Sequence, residues 1–323
     1  MHPAITNSII RYVERKEHVI FVSPFKVLQQ KIFRFVFRVE FIASDNHRTD
    51  SWMTGYNGTG GYEDVKIPDE KIEESLKNVI DLLSAKSLTP GEYDAIADPE
   101  TSGVIVHEAF GHGVENDVIL KHRSKARQYM GKRIGSNLVN MTDDPLRSGA
   151  YGFYYFDDEG ILAQKTKIIE NGVLKQGLSD HYSAIHLGVP DYGNGRRENF
   201  THKAYARMSN TFIEPGETPL QEMIEELKDG LFVIQGTNGM EDPKNWGIQC
   251  EAKMAREIKN GKFTGKNFAP IGISGYVPDL LMSISRVSDI FQTDFGGTCI
   301  KGYKEHVPVS VGGSYIRMRG RIS

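Results

Sequence analysis

The chain has 323 residues, 39% hydrophobic and 25% charged, with a formal net charge of −3. This is the composition of an ordinary soluble globular chain, long enough to bury a large core. It offers no basic field for nucleic acid or an anionic membrane, and its two cysteines, Cys250 and Cys299, exclude a disulfide scaffold and fit a reducing compartment. Neither a signal peptide nor an apolar run near the ~20 residues needed to span a bilayer is visible, which reads as a cytoplasmic protein.

Strands come first. Phe33, Phe35, Phe37, Val39 and Phe41 alternate with a set containing Arg34, Arg38 and Glu40, which predicts one face inward and one outward. His18–Val22 supplies a candidate neighbouring strand, and the glycine-rich residues 54–61 read as a connection. Pro68-Asp69 opens an amphipathic helix with Ile72, Leu76, Val79, Ile80 and Leu83 at helical spacing. A short strand at Tyr93–Ala97 then meets Asp98-Pro99, where Asp98 suits a helix cap and Pro99 the first helical position.

Beyond about residue 149 the pattern is β-rich. Asn171-Gly172 and Asn260-Gly261 predict type I′ hairpins, whose central residues both need positive φ, flanked by strands at Lys165–Glu170 and Ala252–Lys259. Thr218-Pro219-Leu220-Gln221 reads as a capping box for a helix with Leu220, Met223, Ile224 and Leu227 on its buried stripe. Cys250 falls in the alternating set Ile248, Cys250, Ala252, Met254 and is assigned to the core. The order predicts an α+β fold dominated by antiparallel sheet.

The helix opened at Asp98 carries His107-Glu-Ala-Phe-Gly-His112. Zinc peptidases commonly place two histidines at i and i+4, with a glutamate beside the first as general base. Here the second histidine comes at i+5, which on a regular helix separates the rings by roughly 140° instead of about 40°. The spacing serves one metal only if the helix takes up an extra residue as a π-turn, and Gly111 lowers the cost of that distortion. Taken alone, the pattern reads equally as a metal site or as solvated polar positions. His122, His181, His186, His202 and His306 read as surface or satisfied core groups.

Further motifs accompany it: Ser102-Gly-Val-Ile-Val ahead of His107, Asp157-Asp158-Glu159-Gly160, Ile169-Glu-Asn-Gly-Val-Leu-Lys175 and Gly193-Asn-Gly-Arg-Arg-Glu198. Arg207-Met-Ser-Asn-Thr211, Gly297-Thr-Cys299 and Val307-Pro-Val-Ser-Val-Gly312 complete the set. Together, from about residue 17 to near the C-terminus, they resemble the TldD/PmbA metallopeptidases, historically called modulators of DNA gyrase, and within them the TldD-like, metal-bearing branch. The resemblance implies Zn2+ held by His107, His112 and Cys299, with Glu108 as the general base for a zinc-bound water. It marks His202 as a candidate oxyanion donor, and Arg196 and Arg197 as candidates for orienting substrate, with structural pairing to Glu198 or Asp191 as the alternative. It implies extended, unstructured peptides as substrate and a homodimer, or a heterodimer with a PmbA-like chain.

The expected organisation is a partial α/β N-terminal domain over residues 1–88 and a largely antiparallel catalytic domain over residues 89–323. Family chains are longer at the N-terminus, so this one reads as truncated or a short form, and an uncovered strand with Phe33, Phe35 and Phe37 becomes a candidate dimer contact. Ile300-Lys-Gly-Tyr-Lys-Glu305 departs from the family pattern. Gly296-Gly297-Thr298 reads as a flexible approach for Cys299. Two rival functions stand: a zinc peptidase of another lineage, whose third ligand would be a downstream glutamate, and a non-catalytic zinc-stabilised binding or partner subunit.

Overall fold

The computed structural model describes residues 2–301 and 305–323, so the departure after Cys299 lies in part, at residues 302–304, outside the described residues. Strands β1 (Ile5–Val22), β2 (Val27–Ser44) and β3 (Thr49–Thr59) form an antiparallel sheet in that order. The expected alternation holds for Phe35, Val39 and Phe41, which are buried, but Phe33 lies beyond the covered part of the strand and is 49% exposed. Arg34 corrects the outward assignment. It is 3% exposed because its guanidinium reaches the carbonyls of Tyr151 and Phe153 at 2.8 and 2.6 Å and pairs with Glu17. Phe35 stacks on Tyr56 inside the chain, so it is not available for the intermolecular contact expected of it.

The glycine-rich connection is likewise corrected, because residues 54–59 belong to β3. Their glycines serve close approach and not a turn. A Cβ on Gly55 would lie 2.3 Å from the Phe37 carbonyl oxygen, and one on Gly58 would lie 2.7 Å from that of Gly149.

Helix α1 (Asp69–Leu83) covers this sheet, burying Val79 and Leu82. A second sheet takes β4 (Gly91–Ala97), β5 (Met141–Asp143), β6 (Thr166–Glu170) and β7 (Val173–Leu174). A two-stranded ribbon, β8 (Gly195–Arg196) with β9 (Tyr205–Ala206), stands apart. The second sheet is completed by β10 (Asn210–Ile213), β11 (Gly230–Asp242), β12 (Gly247–Lys259), β13 (Lys262–Phe268), β14 (Ile271–Tyr276), β15 (Arg286–Lys301) and β16 (Glu305–Ile322). Its path is β13-β12-β11-β4-β16-β10-β5-β6-β7, with β14 against β12 and β16, and β15 against β16. Only the β4–β11 and β10–β16 pairs are parallel among the described strands, so the α+β, largely antiparallel expectation stands.

Both hairpins form as read: φ is 48° and 76° at Asn171-Gly172, and 51° and 71° at Asn260-Gly261. The helix Leu220–Leu227 buries Met223, Ile224 and Leu227, but its cap is Pro219 without a side-chain bond. Thr218 is held extended instead, its amide on the Val287 carbonyl and its carbonyl on the Asp289 amide.

One apolar cluster joins Val39, Phe41, Trp52, Val79 and Leu82 to Ile96, Met223, Phe232, Met254 and Ile258, so the first sheet and the second share a core. Among the described residues no helix is long and apolar enough to cross a membrane.

Helix α2 (Pro99–Val106) packs on β16 through glycine: a Cβ on Gly103 would lie 2.2 Å from the Gly312 amide nitrogen. Gly103→Val should therefore lift α2 off the sheet and lower stability by about 1–3 kcal/mol. Denaturant unfolding checks this, and an unchanged midpoint would contradict the close approach.

Candidate metal centre

Asp98 caps α2 by accepting the Thr101 amide at 2.7 Å, and Pro99 occupies the first helical position, as the sequence predicts. The helix then changes pitch. A π-turn runs over His107–Gly111 and a short 3-10 turn over His112–Val114. This absorbs the extra residue: the two imidazoles lie 5.3 Å apart, edge to face at 87°. Gly111 keeps ordinary helical angles, φ −59° and ψ −47°, so conformational freedom is not why glycine stands there. A Cβ would fall 2.1 Å from the Met208 sulfur, and close packing behind the turn is the reason.

Cys299 arrives from β15, paired with Val307 of β16. The flexible approach expected of Gly296-Gly297-Thr298 is corrected: these residues are in register with Ser310, Val309 and Pro308 as ordinary strand. Gly296 admits the first sheet instead. Its carbonyl accepts from Asn57 Nδ2 at 2.6 Å and Arg38 Nη2 at 3.2 Å, and a Cβ there would meet the Cβ atoms of Asn57 and Tyr151 at 2.8 Å. Cys250 is fully buried in the core.

Ligand atoms from His107, His112 and Cys299 lie within 4.8 Å of one another, with the Cys299 sulfur 3.5 Å from His112 Nε2. The Nδ1 of His112 faces Glu115 at 3.2 Å, which leaves Nε2 pointing into the cluster. His107 Nδ1 is buried without a hydrogen-bond partner among the described residues. Two imidazoles and a thiol, one of them with an orphaned nitrogen, form a donor set suited to a borderline-soft divalent ion. Glu108 is half-buried beside this set, its Oε2 3.9 Å from His112 Nε2. Gly239 makes room for it, since a Cβ there would sit 2.7 Å from the Glu108 Cβ.

The charges are strongly coupled. Burial pushes His112 down, but Glu115 and Cys299 outweigh it and hold the imidazole well above its ordinary pKa. Burial pushes Cys299 up, but His112 and His107 bring the thiol well below its ordinary pKa, toward the thiolate that binds metals. Glu115 is pulled down to about 2 against its own burial by Lys301, His112 and Arg207. Glu241, whose Oε2 accepts the Gly113 amide at 2.8 Å, is pushed up to about 8, chiefly by burial.

Among the described residues, the other candidates are not part of this donor set. Arg196 is buried, and its guanidinium donates to the Met208 and Pro308 carbonyls at 2.6 and 2.8 Å. Arg197 is partly exposed at a groove of about 390 Å³ that Arg15, Glu17, Asp158 and Phe200 also line. Its amide donates to Asp158 Oδ2 at 2.9 Å, and its Nε lies 3.7 Å from Asp158 Oδ1. The expected partners are engaged otherwise, Glu198 with the His306 amide and Asp191 with His181. His202 makes local contacts, its amide on the Asn199 carbonyl and Nδ1 near the Thr201 hydroxyl at 3.2 Å. Sequence reasoning passed over Glu115, Lys301, Arg207 and Glu241. The available signal was positional: Glu115 follows His112 by three residues, and Lys301 follows Cys299 by two on a strand.

The chain is similar to known proteins. The family model for the PmbA/TldA metallopeptidase C-terminal domain matches residues 90–321. A metalloprotease of Methanocaldococcus jannaschii is 34% identical over 310 residues, 95% of this chain and 67% of the relative. A zinc metalloprotease TldD homolog of Saccharolobus solfataricus is 34% identical over 247 residues, 75% of this chain and 54% of the relative. TldE from Thermococcus kodakarensis shares the fold at a TM-score of 0.73 and 20% identity, covering 92% of this chain and 64% of that one. The chain thus spans about half to two thirds of the length of these relatives. With a family model over most of its length and a third of its residues shared with a curated relative, the chain belongs to the PmbA/TldD metallopeptidase family.

Proposed function

We propose that the chain is a zinc-dependent peptidase, with His107, His112 and Cys299 as metal ligands and Glu108 as general base. The observation that carries the proposal is the convergence of two imidazoles and a thiol, across a π-turn and a strand 187 residues away, beside a carboxylate. Names given to relatives, a metalloprotease and a zinc metalloprotease, support the same reading.

Three protein ligands are the number found in catalytic zinc sites, whereas structural sites close with four. Zinc, when bound, supplies a Lewis acid that polarises the scissile carbonyl and makes water acidic enough to attack at neutral pH. The thiolate of Cys299 donates more charge than an imidazole or carboxylate, so turnover should be modest. Glu108 accepts the proton of the attacking water and passes it to the leaving amine. His202 is retained as oxyanion donor and Arg197 as substrate contact. Arg196 supports the turn from behind, through Met208 and its packing on Gly111. The substrate proposed is an extended, unstructured peptide, held by main-chain pairing at a sheet edge. The working unit proposed is a dimer, either of this chain or with a PmbA-like partner.

Glu108→Gln tests the proton step. It should keep zinc stoichiometry and lower peptide hydrolysis about 10²–10⁴-fold; parental cleavage rates would eliminate the mechanism. Cys299→Ser tests the third ligand. Loss of a ligand should cut zinc affinity severely in a metal-binding assay, whereas a packing role would shift thermal stability and leave zinc binding intact.

A further inference from the structure

Two elements distant in sequence must agree before three ligands can meet. His107 and His112 ride on the turn after α2, and Cys299 rides on β15, which pairs at that point with β16. The connection between turn and strand is made by side chains. Lys301 stands two residues beyond Cys299 and so on the same face of the strand. Its ammonium donates to Asp117 at 2.6 Å, to the Ala206 carbonyl at 2.9 Å, and reaches Glu115 Oε2 at 2.9 Å. That same Oε2 lies 3.2 Å from His112 Nδ1. Arg207, fully buried, donates to the Cys299 carbonyl at 2.9 Å and the Glu305 carbonyl at 3.2 Å, and its Nε lies 4.0 Å from Glu115 Oε1.

We infer that Glu115 is a positioning residue for the metal site: one buried carboxylate that registers the cysteine strand, through Lys301 and Arg207, against the histidine turn, through His112 Nδ1. The inference rests on the metal reading above and adds to it a residue that does not touch the metal. Two effects follow from the geometry. A carboxylate accepts only, so it requires the His112 proton on Nδ1 and leaves the Nε2 lone pair for the ion. Its link to Lys301 sets the height of β15 relative to the turn, and Cys299 is carried at that height. Asp117 and the Ala206 carbonyl hold Lys301 with Glu115, and of these three acceptors Glu115 is the one that also reaches His112.

Glu115→Gln separates this role from simple packing. Glutamine preserves the length of the side chain but is neutral toward Lys301, and its amide group can donate to His112 Nδ1, which favours the wrong tautomer. Zinc affinity of the full chain, measured by chelator competition, should fall about 10–100-fold relative to the parent. The absorption bands of the Co2+-loaded chain should also shift as the thiolate geometry changes. The melting temperature of the metal-free chain serves as control, because a residue that only fills space would move it and leave affinity and spectrum alone. Should Glu115→Gln fail to fold, Glu115→Asp keeps the charge but shortens the reach, and it should give the same losses. Zinc affinity within about twofold of the parent, with an unchanged Co2+ spectrum, overturns the inference while leaving the metal reading in place. A parent chain that takes up no zinc overturns both.

Discussion

Two histidines five residues apart cannot share an ion on a regular α-helix, and much of the local structure follows from the way this chain meets that constraint. The extra residue is taken up in the π-turn at His107–Gly111, directly after a helix that is firmly anchored at its start by Asp98 and Pro99. A wide turn of this kind is held by what packs around it. Met208 presses on Gly111, the Gly113 amide is taken by Glu241, and Gly239 recedes to admit Glu108. Met208 comes from the approach to β10, and Gly239 and Glu241 both come from β11. The turn is thus a property of the assembled sheet as much as of its own five residues.

The second organising feature is charge held away from water. Glu115, Asp117, Arg207 and Lys301 are buried or nearly so, and removing one partner from such a cluster typically costs about 3–5 kcal/mol because the remaining charge stays behind unpaired. A cluster of this kind is a poor source of net stability, since well-packed apolar side chains would do as well. What it supplies is geometry: charged groups have few acceptable arrangements in low dielectric, and the arrangement found here aims His112 Nε2 and the Cys299 sulfur at one point.

Local chemistry was readable from the sequence wherever a few neighbouring residues decide the outcome. The Asp98-Pro99 entry, the two Asn-Gly hairpins, the buried stripe of α1 and even the need for a π-turn follow from rules that act over six residues or fewer. What escaped are decisions made across the fold. The glycines at 55 and 58 look like a loop until the Phe37 and Gly149 carbonyls are brought against them. Arg34 looks solvated until the Tyr151 and Phe153 carbonyls arrive to accept its protons. Gly296-Gly297 looks pliable until β16 pairs with it and Asn57 closes over it. Lys301 and Glu115 are 186 residues apart and give no sign of each other in the chain, so the His112 support could not be assigned by pattern. The donor trio was accessible only through the family resemblance, because the His107–His112 spacing alone reads equally as solvated polar positions and nothing local ties Cys299 to it.

The hydrogen bond from Asn57 to the Gly296 carbonyl has a consequence for how the family's architecture can vary. The matched family region begins at residue 90, yet a side chain from before it grips the strand three residues ahead of Cys299. Any insertion or deletion that slid β3 along β2 by a single residue would send Asn57 to the opposite face of its sheet and release that carbonyl. Drift in the leading sheet is therefore felt as drift in the thiol, and a graft that exchanged one leading sheet for another would have to conserve register and not merely fold.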